Sequence, residues 1–322
     1  MSRISPPVKR DLSVSVTSLE HFTPQTVKYL EAGLHGSANT ALAYRGDLKR
    51  FGAWCAEHNH CALPATIEAV AGFVTLLADA GKKLATIDRH CASISKAHTL
   101  HGHRSPTDEV AIKVVMNGIR RVHGVRQKQA PAFTLDILKS AVQAIDDSTV
   151  AGARDKVILL LGFTGGFRRS ELTALDIEDL RFSEDDLIVN LNRSKTNQLG
   201  DIEEKAIFRS TDPMVCPIAA IHHWLKVSGR KKGPLLVSLR KNGILTERRL
   251  SDKHLNLIVQ RHLGPRYSAL SLRASFVTIS KLNGAEDSEI MNQTKHRTPG
   301  MIRRYTRLDD VRSHNAGKKL GL

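Results

Sequence analysis

Apolar residues recur every three or four positions along much of residues 24–124, with polar residues between them. That spacing places the apolar side chains on one face of amphipathic helices. The first clear helix covers residues 37–54, and its polar flank is rich in lysine and arginine. The apolar face predicted for this helix consists of Leu42, Leu48, Phe51 and Trp54.

Three more helices are predicted before residue 124. Pro64 suits the first position of the second helix, which would end at Gly81, because proline fits helix starts and glycine fits helix ends. The third helix opens at Lys82, and the fourth runs over residues 107–122. The residues expected to pack in the fourth helix are Val110, Val114 and Ile119. Four or five short helices with basic flanks would form a small bundle.

The periodicity is lost over residues 125–132, where polar residues and a proline dominate. Such composition is typical of a linker between domains. We therefore predict a flexible arm over residues 1–20, a helical domain over 21–124, the linker over 125–132 and a second domain over 133–322. The end of the second domain is long enough to reach a neighbouring subunit.

The second domain combines helices with a short run of strands. An apolar stretch over residues 157–161 predicts a buried helix. Alternation with a period of two then predicts three strands, which are followed by two helices. The predicted strands cover residues 176–182, 187–192 and 201–208, and the predicted helices cover residues 216–227 and 251–263. The expected fold class is mainly α with a small antiparallel β-sheet.

The charge of the chain is the feature of its composition that indicates a class of partner. The 322 residues, 41% of them hydrophobic, provide apolar material for two domains of ordinary size. The 48 lysines and arginines exceed the 32 acidic residues and leave a net charge of +16. Because the basic residues recur along the whole chain, a nucleic acid is favoured over a membrane patch. A generically basic protein without such a partner is the alternative.

Cysteine spacing and apolar runs bear on the compartment. The four cysteines show no metal-binding or redox spacing, which favours free thiols in a reducing environment. No apolar run reaches membrane-spanning length, and the N-terminus has no signal-peptide core. We therefore expect a cytoplasmic protein associated with the nucleoid.

His222 and His223 are adjacent on a helix and point about 100° apart, so a shared metal ion is not expected.

Two blocks carry candidate chemistry. In the first, Arg168 follows two glycines and precedes Glu171 by one helical turn, which is also typical of a surface ion pair. The second block contains Arg273, His296 and Tyr305. Thr298 and Pro299 predict a helix start before Tyr305, whose ring could instead be packed in the core. Lys195 lies in a polar hairpin loop, where lysine is usually solvated.

These residue types suit attack on a phosphodiester. A guanidinium group stays charged and can pair with two phosphate oxygens. A tyrosine becomes a good nucleophile where positive charge stabilises its phenolate, and a lysine can give a proton to the leaving oxygen. No acidic cluster predicts a divalent metal site, and no cofactor is expected.

The two blocks resemble those of the tyrosine site-specific recombinases of the lambda-integrase family. The segment 166–172 (Gly-Phe-Arg-Arg-Ser-Glu-Leu) is similar to the first arginine box, and the segment 270–276 (Leu-Ser-Leu-Arg-Ala-Ser-Phe) is similar to the second. The resemblance covers roughly residues 25–315, with the domain layout of the Cre and Xer members. It implies that Arg168 and Arg273 are the catalytic arginines and that Glu171 is the supporting acid. It also implies that Lys195 is the general acid, His296 the accessory histidine and Tyr305 the nucleophile.

Leu270 departs from the family pattern, which has histidine at that place. Leucine can neither donate a hydrogen bond to the phosphate nor move a proton from the tyrosine. Losing one such donor typically costs about 10²–10³ in rate, so we expect weakened cleavage. A natural variant and a deliberate substitution would both produce this residue.

The resemblance also implies the partners. Two domains would clamp double-stranded DNA that contains inverted-repeat sites, with a homotetramer on two sites and a Holliday junction intermediate. The residues predicted to bind DNA are Arg45, Lys49, Arg50, Lys82, Lys83 and Arg89 in the first domain and Lys253 and Asn256 in the second. A DNA-binding or junction-binding protein that has lost its chemistry is one alternative, and a type IB topoisomerase is another.

Overall fold

Helices with one apolar face form the first part of the chain. The structure, a computed structural model, describes residues 38–124, 129–191, 203–240 and 242–303. The helices of its first part are α1 (Ala38–Glu57), α2 (Ile67–Asp79), α3 (Leu84–Leu100) and α4 (Val110–His123), with a 3₁₀ turn at Pro106–Asp108. Phe51, Phe73, Ile87 and Ile112, one from each helix, are almost fully buried in a shared core. The predicted helical bundle is therefore confirmed.

Some predicted faces and ends in this bundle are wrong. Leu42 is 67% exposed, because nine residues separate it from the buried Phe51 and place it half a turn away. Val110 and Val114 are also exposed, since the buried face of α4 is formed by Ile112, Met116 and Ile119. Phe51, Trp54 and Ile119 are buried as predicted, whereas Leu42, Val110 and Val114 were assigned to the wrong face.

The start of α2 also differs from the prediction. Pro64 lies before the helix, which begins at Ile67. Thr66 caps it, because the Thr66 hydroxyl oxygen accepts a hydrogen bond from Ala69 N at 3.2 Å. A side chain that satisfies a free backbone N–H determined the helix start, rather than the proline.

The second part of the chain combines more helices with two small sheets. Its helices are α5 (Leu135–Gln143), α6 (Val150–Thr164), α7 (Arg169–Ala174), α8 (Pro217–Ser228), α9 (Asp252–Leu263), α10 (Ala269–Leu282), α11 (Asp287–Thr294) and α12 (Pro299–Arg303). Its strands are β1 (Leu180–Phe182), β2 (Asp186–Leu191), β3 (Glu203–Phe208), β4 (Val237–Leu239) and β5 (Leu245–Arg249). The expected fold class, mainly α with a small antiparallel sheet, is confirmed.

The first sheet has the order β1-β2-β3, with both pairs antiparallel. In β3, Lys205 and Ile207 face the interior, while Glu204 and Phe208 are exposed. The alternation follows from the period of two of a strand that is buried on one face. A second sheet pairs β4 with β5, and the sequence analysis did not predict it.

The first predicted strand is shorter than expected, because its first half is a 3₁₀ turn. Residues Ile177–Asp179 form the turn, and the Asp179 carboxylate accepts a hydrogen bond from Asp176 N at 2.9 Å. Of the residues in this predicted strand, only Leu180–Phe182 pair with β2. The aspartate at the end of the turn therefore competes successfully with strand formation.

The chain divides into two compact units between Gln127 and Lys128. The first unit has the core described above, where Trp54 stacks on His58 with ring centroids 4.4 Å apart. In the second unit, Trp224 is fully buried, and its indole N–H donates to the Leu235 carbonyl oxygen at 2.8 Å. All four cysteines are free thiols. Each unit thus has its own apolar centre.

Candidate active site

A tight turn between α6 and α7 positions the first arginine block. Helix α6 ends at Thr164, and Gly166 has a φ of +52°, a left-handed conformation that favours glycine. A Cβ atom at Gly166 would lie 3.1 Å from side-chain atoms of Phe276 and Thr294. The turn therefore packs closely against α10 and α11, which supply the other site residues.

Glu171 holds Arg168 through two contacts. One carboxylate oxygen, Oε2, accepts from Arg168 N at 2.9 Å, and the other, Oε1, accepts from the Arg168 guanidinium. Glu171 is 2% exposed. Burial opposes its ionisation, yet Lys205 and Arg168 together hold the pKa of its carboxyl below the usual value. A charged Glu171 therefore fixes both the backbone and the side chain of Arg168.

The two predicted arginines come together although they are distant in the sequence. Arg273, on α10, donates to Gly166 O and to Thr294 O, both at 2.6 Å. Arg168 donates to the next carbonyl oxygen, that of Lys295, at 3.2 Å. Arg273 is 1% exposed, whereas the Arg168 side chain is 16% exposed. The end of α11 thus orients both guanidinium groups.

His296 follows immediately after those carbonyl groups and is 4% exposed. Its Nδ1 lies 2.7 Å from Thr294 Oγ1, and that hydroxyl donates its proton to Ile290 O. Since a hydroxyl has one proton, Nδ1–H must be the donor to Thr294 Oγ1. The neutral ring then has its unprotonated nitrogen at Nε2.

The pKa of His296 is lowered to about 3 by burial first, and then by the positive charges of Arg273, Arg168 and Lys205. The imidazole is therefore neutral near pH 7. An anion bound nearby would offset those charges and favour the protonated form. Neutral His296 can accept a proton or a hydrogen bond at Nε2, and the protonated ring can donate there.

The site has an excess of positive charge. Arg168 and Lys205 contact the carboxylate of Glu171, and Arg273 shares the Gly166 carbonyl oxygen with Lys205, so these three cations lie near one acidic group among the contacts described here. The partners of Arg273 given above are neutral carbonyl groups. A phosphate group would balance the excess, as arginine-rich sites commonly do.

Lys205 was missed by the sequence analysis. It lies on β3 with its side chain fully buried, and its Nζ is 3.7 Å from Glu171 Oε2. The alternation of residues 203–208 could have revealed its burial, because Lys205 lies two residues before the buried Ile207 and so on the same face of the strand. The sequence analysis emphasised Lys195 in the loop before this strand.

Two predicted site residues, Lys195 and Tyr305, lie outside the described residues. Helix α12 starts at Pro299, as predicted from Thr298 and Pro299, and is described to Arg303. The roles assigned to Lys195 and Tyr305 remain predictions.

Leu270 lies on α10, one turn before Arg273, and is 44% exposed. An apolar side chain at this place gains little from burial. The position is therefore open to solvent.

The predicted DNA-binding residues differ in how free their side chains are. Those with exposed positions are Arg45, Lys49, Arg50, Lys82, Lys83, Arg89 and Lys253. Arg89, although exposed, donates two hydrogen bonds to the buried Asp47, at 2.8 and 2.9 Å. Asn256 Oδ1 accepts from Ala269 N at 3.0 Å and so supports the start of α10. Arg89 and Asn256 therefore have structural contacts, and their DNA roles remain predictions.

The described ranges offer neither a candidate metal site nor a candidate membrane span. No group of three or more histidine, cysteine, aspartate or glutamate side chains in these ranges is arranged to hold a metal ion. Among the same residues, no helix has the length and apolar character needed to span a bilayer.

Comparison with protein families gives two matches. Residues 132–312 match the phage integrase family, and residues 26–100 match the N-terminal SAM-like domain of phage integrases. A XerD homolog of the integrase/recombinase type from Selenomonas ruminantium is 31% identical over 287 residues, which cover 86% of this chain and 84% of the relative. The tyrosine recombinase XerC of Thermodesulfovibrio yellowstonii is 27% identical over 300 residues, covering 91% of this chain and 94% of that protein.

Solved structures share the fold. An integrase of the transposon Tn1549, in complex with transposon right end DNA, has a TM-score of 0.60 at 16% identity and covers 92% of this chain and 99% of that one. A lambda integrase dimer bound to a COC′ core site has a TM-score of 0.57 at 14% identity, with coverage of 87% and 93%. At these identities the likeness concerns the fold alone.

Proposed function

Because this chain belongs to the phage integrase family of tyrosine recombinases, we propose that it is a site-specific DNA recombinase. Its substrate would be double-stranded DNA with inverted-repeat recombination sites. It would cleave and rejoin each strand through a 3′-phosphotyrosine intermediate formed by Tyr305.

One observation carries the proposal. Arg168 and Arg273 donate to the carbonyl oxygens of two consecutive residues, and His296 comes next in the chain. The arginines therefore lie side by side at the segment that leads through α12 towards Tyr305. A phosphate between them would receive charge-assisted hydrogen bonds, and the added negative charge of a pentavalent transition state would be stabilised most.

The proposed cleavage step exchanges one ester for another. The Tyr305 oxygen, after losing its proton, bonds to the scissile phosphorus, and the bond from phosphorus to the 5′ oxygen breaks. Lys195 would give that leaving oxygen its proton. Because the phosphotyrosine retains the ester, the free 5′-hydroxyl of a partner strand can reverse the step without a nucleotide cofactor.

Strand exchange needs two DNA sites and several active sites. We propose that four copies of the chain act on two sites and that exchange passes through a Holliday junction. The tail after Tyr305 would contact a neighbouring copy.

The cations of the protein itself make a metal ion unnecessary in this proposal. Arg168 and Arg273 would neutralise the phosphate oxygens, and Lys195 would serve the leaving group. We therefore propose a metal-independent reaction.

Leu270 favours a second candidate, a DNA-binding or junction-binding protein with weakened chemistry. An exposed leucine cannot supply the donor that histidine provides at that place. Under this alternative the protein would bind DNA but form little covalent product.

The test uses a nicked suicide duplex, in which cleavage releases a short fragment and traps the protein on DNA. Duplexes are first selected from a random library by binding and then footprinted to locate the site. We expect an SDS-stable protein–DNA adduct that also forms in excess EDTA. The Tyr305→Phe variant should bind the duplex and form no adduct, because it lacks the nucleophilic oxygen.

Binding without any adduct by the wild-type protein and by its Leu270→His variant would support the junction-binding alternative. Adduct formation that stops in EDTA would refute metal independence. An adduct that persists in Tyr305→Phe would show that Tyr305 is not the nucleophile.

A further inference from the structure

Lys205 is a buried cation without a part in the cleavage step described above. Its Nζ donates to Gly165 O at 2.8 Å and lies 3.5 Å from Gly166 O. It also lies 3.7 Å from Glu171 Oε2 and 4.5 Å from the centroid of the Phe167 ring. All these contacts are to the short segment 165–171, which contains Arg168.

Burying an ammonium group has a large desolvation cost, so buried lysines are retained only with good partners. The side chain of Lys205 has no exposed surface. It cannot donate a proton to a bound strand from this position, which distinguishes it from the loop residue Lys195. Its charge instead acts on groups inside the protein.

The carboxylate of Glu171 links Lys205 to Arg168. Oxygen Oε2 accepts from Arg168 N and faces Lys205, while Oε1 accepts from the Arg168 guanidinium. Loss of the ammonium would leave Glu171 more free to rotate, and Arg168 would move with it.

The carbonyl oxygen of Gly166 links Lys205 to the other arginine. It accepts from Arg273 Nη1 at 2.6 Å and lies within reach of Lys205 Nζ. Lys205 therefore contacts groups that hold each of the two arginines.

We propose that Lys205 is a positioning residue for DNA cleavage, whose ammonium group keeps Glu171 and the turn at 165–166 in place so that Arg168 and Arg273 converge on one phosphate. This inference rests on the proposed recombinase function.

The charge balance around Lys205 supports this role. Burial lowers the pKa of its ammonium group to about 7, with Glu171 raising it and Arg273, Arg168 and Lys295 lowering it. A phosphate bound at the arginines would add a negative charge and favour the ammonium form. The substrate would thus strengthen the contacts that position the arginines.

The test compares Lys205→Met with a matched control in the same strand. Methionine keeps the buried apolar stem and removes the charge. The control is Ile207→Val or Ile207→Ala, whichever lowers the melting temperature by the amount that Lys205→Met does, because Ile207 is buried on the same face of β3. Adduct formation on the nicked duplex is measured in a single turnover, together with DNA affinity.

We expect the adduct rate of Lys205→Met to fall roughly 10- to 100-fold below that of the control, because small displacements of catalytic groups have effects of that size. DNA affinity should stay near the wild-type value. A duplex with sulfur in place of the leaving 5′ oxygen should not restore the rate. A sulfur leaving group needs no proton, so it compensates only for the loss of a proton donor. Combining Lys205→Met with Glu171→Gln should cost less than the product of the two single effects, because part of each effect acts through the Lys205–Glu171 contact.

The outcomes separate two kinds of failure. No adduct with the wild-type protein or its Leu270→His variant would overturn the recombinase proposal, and this inference with it. A wild-type adduct together with a Lys205→Met rate equal to the Ile207 control would overturn the inference alone. Rescue by the sulfur duplex would make Lys205 a proton donor and overturn the positioning role. If Lys205→Met does not fold, Lys205→Gln serves the same comparison, because its amide can still donate to Gly165 O.

Discussion

At the scale of single residues, Leu270 is the position where a substitution is expected to raise activity. It is exposed and lies one turn before Arg273. A histidine there would reach solvent and a bound phosphate without disturbing the core. The fold therefore tolerates the residue that the family pattern has at this place.

We expect Leu270→His to raise the rate of covalent adduct formation by about 10²–10³-fold, the usual worth of one donor to a developing oxyanion. The measurement is the initial rate on the nicked duplex. Leu282→His is the matched control, since Leu282 is an exposed leucine near the other end of α10. An unchanged rate in Leu270→His would mean that the register assigned to the second arginine box is wrong.

The sequence predicted the chemistry of the site better than it predicted which groups each side chain contacts. The pairing of Arg168 with Glu171 followed from their spacing of three on a helix start. Arg89 and Asn256 were predicted as DNA contacts, but their contacts with Asp47 and Ala269 N depend on other segments. Sequence spacing within one helix contains no information about such distant partners.

At the scale of elements, the turn from α6 to α7 determines the geometry of the site. Gly166 has a positive φ, and its carbonyl oxygen accepts from Arg273. The same turn leads directly into Arg168. A change in this turn should therefore affect both arginines.

We expect Gly166→Ala to lose about 1–2 kcal/mol of unfolding free energy from left-handed backbone strain alone, with a further loss from contacts at 3.1 Å to Phe276 and Thr294. The rate of adduct formation should fall by more than the loss of folded protein accounts for. Gly243→Ala is the control, because Gly243 has a φ of +78° and nothing within 4 Å of an added Cβ. Urea unfolding and single-turnover adduct rates measure the two effects, and equal cleavage by both variants would contradict this role of the turn.

Element types were largely predictable, whereas phases and ends were not. The helices of the first unit and the three-stranded sheet follow from apolar periods that are long enough to be unambiguous. Leu42 and Val114 were assigned to the wrong face, because an apolar residue on a helix is not obliged to be buried. Lys205 was overlooked, since a lysine in a strand is usually solvated and only its partners on α7 and the preceding turn justify its burial.

At the scale of the whole molecule, the net charge of +16 favours a polyanionic partner. The exposed lysines and arginines of the predicted DNA-binding set are spread over both compact units. Neutralising phosphates with such residues releases counterions, so affinity depends steeply on salt.

We expect the logarithm of DNA affinity to fall linearly with the logarithm of salt concentration. Lys83→Gln should reduce that slope by about one unit if Lys83 contacts a phosphate. The control is Lys226→Gln, an exposed lysine at the end of α8 that is outside the predicted set. Fluorescence anisotropy at several salt concentrations gives the slopes. Affinity that does not change with salt would contradict DNA binding by a charged clamp.

The two tryptophans of the chain are divided between the compact units, Trp54 in the first and Trp224 in the second. Each unit therefore contains a single tryptophan, and the two indole rings have different neighbours: stacked imidazole for Trp54 and a backbone carbonyl for Trp224. With excitation that selects tryptophan over tyrosine, a Trp54→Phe protein would emit only from the second unit, and a Trp224→Phe protein only from the first. Changes in either unit can thus be followed optically without attaching a dye.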